Sequence, residues 1–162
     1  MSHQPARFLG LLAVVLAVLA SPSAAQEGGP LRLVFSDPYA VVFMSPDDQA
    51  QSASTAPVEV NHWTFFDRAD RLTASWGWNT RVSRERIDCQ TRRMATLQHQ
   101  TYLDGDAISE SRPQNTMAAP IGADKAAILA YVCAGEATTL EVIVADVTSA
   151  RAWADKAYDG GR

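Results

Sequence analysis

The sequence predicts an α+β fold: a small antiparallel β-sheet of about five or six strands packed against a C-terminal helix, with a second short C-terminal helix after it. Three observations lead there. Short apolar or alternating runs, separated by turn-type residues, recur through the middle of the chain. An alanine-rich segment with helical spacing of its apolar residues follows them. The only two cysteines stand at the end of one predicted strand and on that predicted helix.

The chain has 162 residues, the size of one domain. Residues 1–25 are expected to be a cleaved signal peptide. Arg7 supplies the positive start, Phe8–Ala20 is an unbroken apolar run, and Ser23-Ala24-Ala25 offers small residues for cleavage. That run is shorter than the roughly 20 apolar residues a bilayer span needs, so no stable membrane anchor is expected after cleavage. Residues 26–162 then form a single exported domain, periplasmic, surface-displayed or secreted. Within it, 26–30 is a flexible leader and 134–162 a C-terminal extension. The formal charge is −4, one unit more negative without Arg7. An acidic chain of this kind is not a general nucleic-acid binder.

The strands follow in order. Leu31–Phe35 and Tyr39–Met44 are β-type runs split by the turn residues Ser36-Asp37-Pro38. Ser45–Pro57 is polar, small and twice interrupted by proline, and reads as a loop. Val58–Phe66 is a strand with Val58, Val60, His62, Thr64 and Phe66 on one face and Glu59, Asn61, Trp63 and Phe65 on the other. Asp67–Arg71 is a charged hairpin tip, and Leu72–Trp78 is expected to resume as a strand, with Gly77 marking a bulge. Val82–Cys89 and Met94–Leu103 are further strands, Ala107–Ser111 a short edge strand, and Arg112–Pro120 a loop.

Asp124–Cys133 is the clearest helix. Alanine is abundant, Asp124 sits in the electropositive first turn, and Gly135 is placed to end it. Ile128, Leu129, Val132 and Cys133 form its buried stripe. Leu140–Ala145 fits a strand or a helix start. Thr148–Tyr158 is a second helix, capped by Thr148 or Asp146, with Ala152, Trp153 and Ala157 as its packing face.

In an oxidising compartment, an even cysteine count reads as a disulfide, Cys89–Cys133. It closes a loop of about 45 residues, and the chain-entropy estimate of its contribution is at most about 4 kcal/mol. It pins the helix to the sheet.

Recognised chemistry is scarce. His62 and His99 stand mid-strand without metal-ligand spacing, so neither a metal nor any other cofactor is expected. The aspartate pairs fall in turn-like segments. No nucleophile elbow or phosphate-binding glycine motif occurs. Enzymatic activity is therefore not expected, and a hydrolase built on His62 or His99 with an aspartate is the weakest of three readings. Arginine outnumbers lysine 12 to 2, and Arg81, Arg84, Arg86, Arg92 and Arg93 crowd around Cys89. Arg84, Arg86 and Arg93 are candidate contacts for a protein or an acidic glycan; cross-strand pairing with Glu85 and Asp88 is the plainer role. Trp63, Trp76 and Trp78 are expected in the core, with Trp76 and Trp78 on one face. A tryptophan left exposed there would be a binding anchor.

The middle of the chain is similar to a known family. The order is a strand ending Ile87-Asp88-Cys89, then Arg92-Arg93, then Tyr102 before Asp104-Gly105, then Pro120 and a helix ending Val132-Cys133, with Trp63 and Asp67–Arg71 upstream. This resembles the bacterial surface-adhesin protein E family over about residues 58–133. The resemblance implies a small antiparallel sheet packed with a helix and held by the cysteines, adhesion to host matrix proteins, and a homodimer. The chain departs from the family in lacking a lipid-attachment cysteine after the signal segment and in continuing past Cys133. The expected function is an exported, non-catalytic binding module. The alternative is a periplasmic inhibitor or accessory subunit that binds another envelope protein.

Overall fold

The computed structural model describes residues 29–51, 54–113 and 116–160; residues 1–25, expected to be a signal peptide, and the expected leader up to residue 28 lie outside the described residues. The centre is one open sheet of seven strands: β1 (Leu31–Ser36), β2 (Ala40–Met44), β3 (Val58–Phe66), β4 (Thr80–Asp88), β5 (Arg93–Leu103), β6 (Asp106–Ser111) and β7 (Ile143–Val144). Their order is β6-β5-β4-β3-β2-β1-β7 and each adjacent pair is antiparallel. The first six form a meander. The chain then crosses the sheet through helix α2 (Ala123–Ala134), adds the two-residue β7 outside β1, and ends in helix α3 (Val147–Gly160). The class is the expected one, with seven strands instead of five or six. The undecided segment Leu140–Ala145 supplies the seventh.

The two long helices lie on opposite faces. Ile128, Leu129, Val132 and Cys133 of α2 pack on Val34, Val42, Met44, Val60, Ile87 and Met94. Ala150, Ala154 and Tyr158 of α3 pack on Leu31, Leu33, Val41, Phe43, Trp63 and Phe65. The cause is visible in β2, where Val41, Val42, Phe43 and Met44 are all fully buried. A continuous apolar run, instead of an alternating one, belongs to a strand covered on both sides. At 14 residues, α3 is longer than α2, so it is not a short appendage. Its buried residues are Ala150, Ala154 and Tyr158; of the expected Ala152, Trp153 and Ala157, Trp153 is half-buried and packs edge to face on Phe43 at 5.8 Å, while Ala152 is exposed. The Tyr158 hydroxyl donates to the Phe65 carbonyl at 2.8 Å, which anchors the last turns. Asp146 starts the helix by accepting from the Ser149 amide at 2.7 Å.

The segment expected as a strand at Leu72–Trp78 is instead a short helix, α1 (Arg71–Trp76). Asp70 caps its first turn, accepting from the amides of Leu72 and Thr73 at 2.8 and 3.3 Å. Gly77 ends it in the left-handed region at φ 70°. An aspartate cap and a glycine stop frame one and a half turns. Gly77 is thus a helix stop and not a bulge; the register shifts of the sheet fall at Leu33/Phe35, Arg84/Glu85 and Thr101/Tyr102.

Candidate functional site

The disulfide is present. Cys89, just beyond β4, bonds Cys133 in the last turn of α2, with Cα atoms 5.3 Å apart. It holds the C-terminal end of α2 against the sheet, leaving the N-terminal end to frame a cleft.

The arginine cluster divides between two faces, because β4 alternates. Arg84, Arg86 and Arg93 lie on the α3 side of the sheet, beyond the reach of that helix. Arg84 and Arg86 both bind Glu59: Arg84 Nη2 at 2.5 Å, Arg86 Nη2 at 2.8 Å and Arg86 Nε at 3.2 Å. Their salt-bridge partner is therefore the neighbouring strand's Glu59 and not Glu85, which faces the other way. The Arg86 hydrogen bonds, opposed by desolvation and joined by the charge of Arg84, hold the Glu59 carboxyl below its usual range. Two guanidinium groups sharing one carboxylate are partly neutralised before any ligand arrives. Arg93 is exposed and stands opposite Asp88 in the ladder.

Arg81 takes the α2 side. Its guanidinium carbon lies 5.5 Å from the centroid of Phe66, at the end of β3. The same ring meets Trp76 and Trp78 edge to face, at 5.4 and 5.3 Å. Trp76 and Trp78 stack on each other at 4.9 Å with their planes 20° apart. They are not core residues. Trp76 is 42 % exposed, Trp78 half-buried, and only Trp63 is in the core at 6 %. They do lie together as expected, but by a different route: Trp76 ends α1 and Trp78 follows the Gly77 stop. Nearby Leu72 is also exposed.

Beyond Arg81 the α2 face of β4 and β5 is polar. His62, Thr64 and Glu85 are fully buried. Glu85 Oε1 accepts from His62 Nε2 at 3.3 Å, from Thr96 Oγ1 at 3.1 Å and from Lys125 Nζ on α2. Because a carboxylate only accepts, His62 carries its proton on Nε2, and its Nδ1 accepts from Thr64 Oγ1 at 3.3 Å. Burial lowers the His62 pKa despite the hydrogen bond to Glu85, so the ring is neutral. Burial raises the Glu85 carboxyl, but His62 and Lys125 outweigh it and hold the pKa down at about 2. Between Glu85, Arg81, Ser83, His99 and Lys125 lies a cleft of about 430 Å³, walled by Met94, Ala95, Pro120 and Ile121. Among the described residues, no group of His, Cys, Asp and Glu is arranged to hold a metal ion.

Compared with known proteins, the chain matches no family model, no curated protein and no solved structure. The functional reading therefore rests on this geometry. The sequence reading named Trp76 and Trp78 but missed Arg81 as the member of its arginine cluster that turns toward the cleft. It also missed Glu85 and Lys125. The strand period carried the first signal, since Arg81 and Glu85 share the face of His62. Nothing local in the sequence places Lys125 over them.

Proposed function

We propose that this protein is an exported, non-catalytic binding module of the surface-adhesin E kind, engaging its ligand through the α2 face of the sheet. The observation that carries this reading is Phe66, which joins the exposed Trp76–Trp78 stack to Arg81 at the mouth of the cleft. A rigid aromatic pair beside an arginine is the composition of binding hot spots. The disulfide and the helix-backed antiparallel sheet, as the resemblance implies them, support the family assignment. The buried relay supports a non-catalytic role. His62 leads from Glu85 only to Thr64, a hydroxyl sealed from solvent, where no substrate reaches it. That geometry also weakens the hydrolase reading.

One further observation favours the accessory-subunit reading. All six residues of β6, at one edge of the sheet, are exposed, and an open edge can accept a strand from an envelope partner. The two readings are separated on intact cells. Proteolytic removal of the domain from whole cells places it outside, where the purified chain is then tested on immobilised extracellular-matrix proteins. Trp76→Ala is expected to reduce retention strongly. Protection until the outer membrane is opened, or retention indifferent to Trp76→Ala, rejects the adhesin reading.

A further inference from the structure

Resting on the binding-module reading, we propose that one end of the sheet docks a protein partner whose contact patch is apolar and rimmed by lysine or arginine. The ladder registers bring the strand ends there nearly flush. Ala40 pairs with Phe66, Phe65 with Thr80, Thr80 with Tyr102, and Leu103 with Asp106. Three connections therefore emerge side by side: the β1–β2 turn, the α1 segment between β3 and β4, and the β5–β6 turn. Each carries a large apolar side chain into solvent. Tyr39 is 64 % exposed, Leu72 61 %, Trp76 42 % and Leu103, the last residue of β5, 41 %. Tyr39 and Leu103 are three strand spacings apart, roughly 14 Å. Leu72 and Trp76 stand one turn apart on α1 between them. The other end of the sheet is different. Among the described residues, no exposed large apolar side chain falls in its connections, 45–57 and 89–92. Apolar side chains gathered at one end of a domain, and absent from the other, mark an interaction surface.

Charge decides what covers this end. The same connections, with the first residue of β6, hold Asp37, Asp67, Asp70, Asp104 and Asp106 against Arg68 and Arg71. Arg68 is already paired with Asp104 at 3.2 Å and with Asp155 at 3.6 Å. Asp37, Asp67 and Asp70 accept backbone N–H bonds of their own turns, which fixes those charges among the apolar tips. A second copy of this end would set like charges against like, and an anionic lipid leaflet would do the same. A zwitterionic bilayer has no net charge to offset the desolvation of the carboxylates. A basic protein rim pairs them while its apolar centre covers Tyr39, Leu72 and Leu103. The surface is also continuous with the aromatic cluster described above, because Trp76 belongs to both. Exposed at this end, it stacks on Trp78 and meets Phe66 edge to face. Arg81, on Phe66, has Asp124 and Glu85 as its counter-charges and leaves the negative balance of the end unchanged.

The test is photocrosslinking of the full chain in the cells that make it. The photoreactive residue p-benzoylphenylalanine is placed at Tyr39, Leu72 or Leu103, at Ile121 on the cleft wall, and at Gln90 on the other end. One protein product common to the first three positions and absent at Gln90 is expected. Its crosslinked peptides, identified by mass spectrometry, should come from a patch with more lysine and arginine than aspartate and glutamate. The identified partner is then purified and titrated with the chain. Leu72→Ser and Trp76→Ala are each expected to weaken binding about tenfold. Asp106→Lys should weaken it severalfold, and so should raising salt from about 0.05 M to about 0.5 M. Thermal melts show whether each variant is folded; if Trp76→Ala is not, Leu72→Ser decides. Absence of a protein product at all three positions overturns the proposal. So does a product shared with Gln90, an acidic contact patch, or lipid as the only adduct. A protein product at Ile121 alone seats the partner in the cleft, so the docking end falls and the binding-module reading stands. No product at any position, together with no retention on matrix proteins, removes both.

Discussion

His62 Nε2 lies 3.3 Å from Glu85 Oε1, and both side chains are fully shielded from solvent. A neutral imidazole thus donates to a buried carboxylate, while Lys125 supplies the compensating charge from α2. This polar knot sits where the apolar core under α2 gives way to the cleft. It ties β3, β4, β5 and the first turn of α2 together through one carboxylate oxygen.

Acid is expected to loosen that knot in two stages. His62 has a folded pKa below its ordinary 6.5, so the unfolded chain binds the proton more readily and stability falls as pH drops below that value. Glu85 is depressed from 4.5 to about 2, so its contribution is complete above 4.5 and is lost as pH falls from there toward 2. Urea midpoints across this range should decline monotonically. Lys125→Met removes one cause of the depression, raising the folded Glu85 pKa toward its unfolded value, and should make the acid loss below pH 4.5 smaller. A midpoint unchanged between pH 7 and 4 would contradict the assignment.

Either cysteine is expected to matter equally. Cys89→Ala and Cys133→Ala each remove the same 44-residue closure, at a cost of up to about 4 kcal/mol. Both variants, and the reduced wild-type chain, should show similar urea midpoints. A much smaller effect for one alanine would mean that packing and not the crosslink dominates.

The tryptophans are expected to separate stability from binding. Trp63→Ala empties a core site beneath α3 and should cost about 3–5 kcal/mol. Trp76→Ala removes a partly exposed ring and should cost less than about 1.5 kcal/mol while abolishing ligand retention. Equilibrium unfolding measures the first effect and retention on the ligand surface the second.

Overpacking tests the face that α3 presents to the sheet. Ala154 is fully buried, and Ala154→Leu should lower stability by about 1–3 kcal/mol. Ala152→Leu, on the exposed side, should change it by less than about 0.5 kcal/mol. The reverse ranking in thermal or urea unfolding would mean the helix is rotated.

Much of the fold was legible in local signals. The β3 alternation, the Asp37-Pro38 turn, and the alanine-rich helix with Asp124 at its start and Gly135 at its end all mark their elements correctly. The α1 segment was misread because its aromatic residues favour strands, while the Asp70 cap and Gly77 stop that decide the matter are single residues at its margins. The α3 face was read only in part, with Trp153 on it but Ala152 off it, because many of that helix's residues are alanine or charged. Such a pattern leaves the buried side to be chosen by Phe43, Phe65 and Trp63 across the interface.

The site divides in the same way. Trp76 and Trp78 draw notice in any reading, and so does the arginine cluster. That Arg81 belongs with the tryptophans, and Arg84 and Arg86 with Glu59, follows from strand period and register together, and register is a tertiary quantity. By itself, the sequence determined the class, the faces of β3 and β4 and the pairing of its only two cysteines. These depend on composition, period and near neighbours along the chain. Only the tertiary structure decided that the helices cover opposite faces and that Lys125 reaches Glu85 across 40 residues. The same holds for Phe66, which joins an arginine to a tryptophan stack. Contacts of that kind depend on how separate elements close over one another, and no local signal records it.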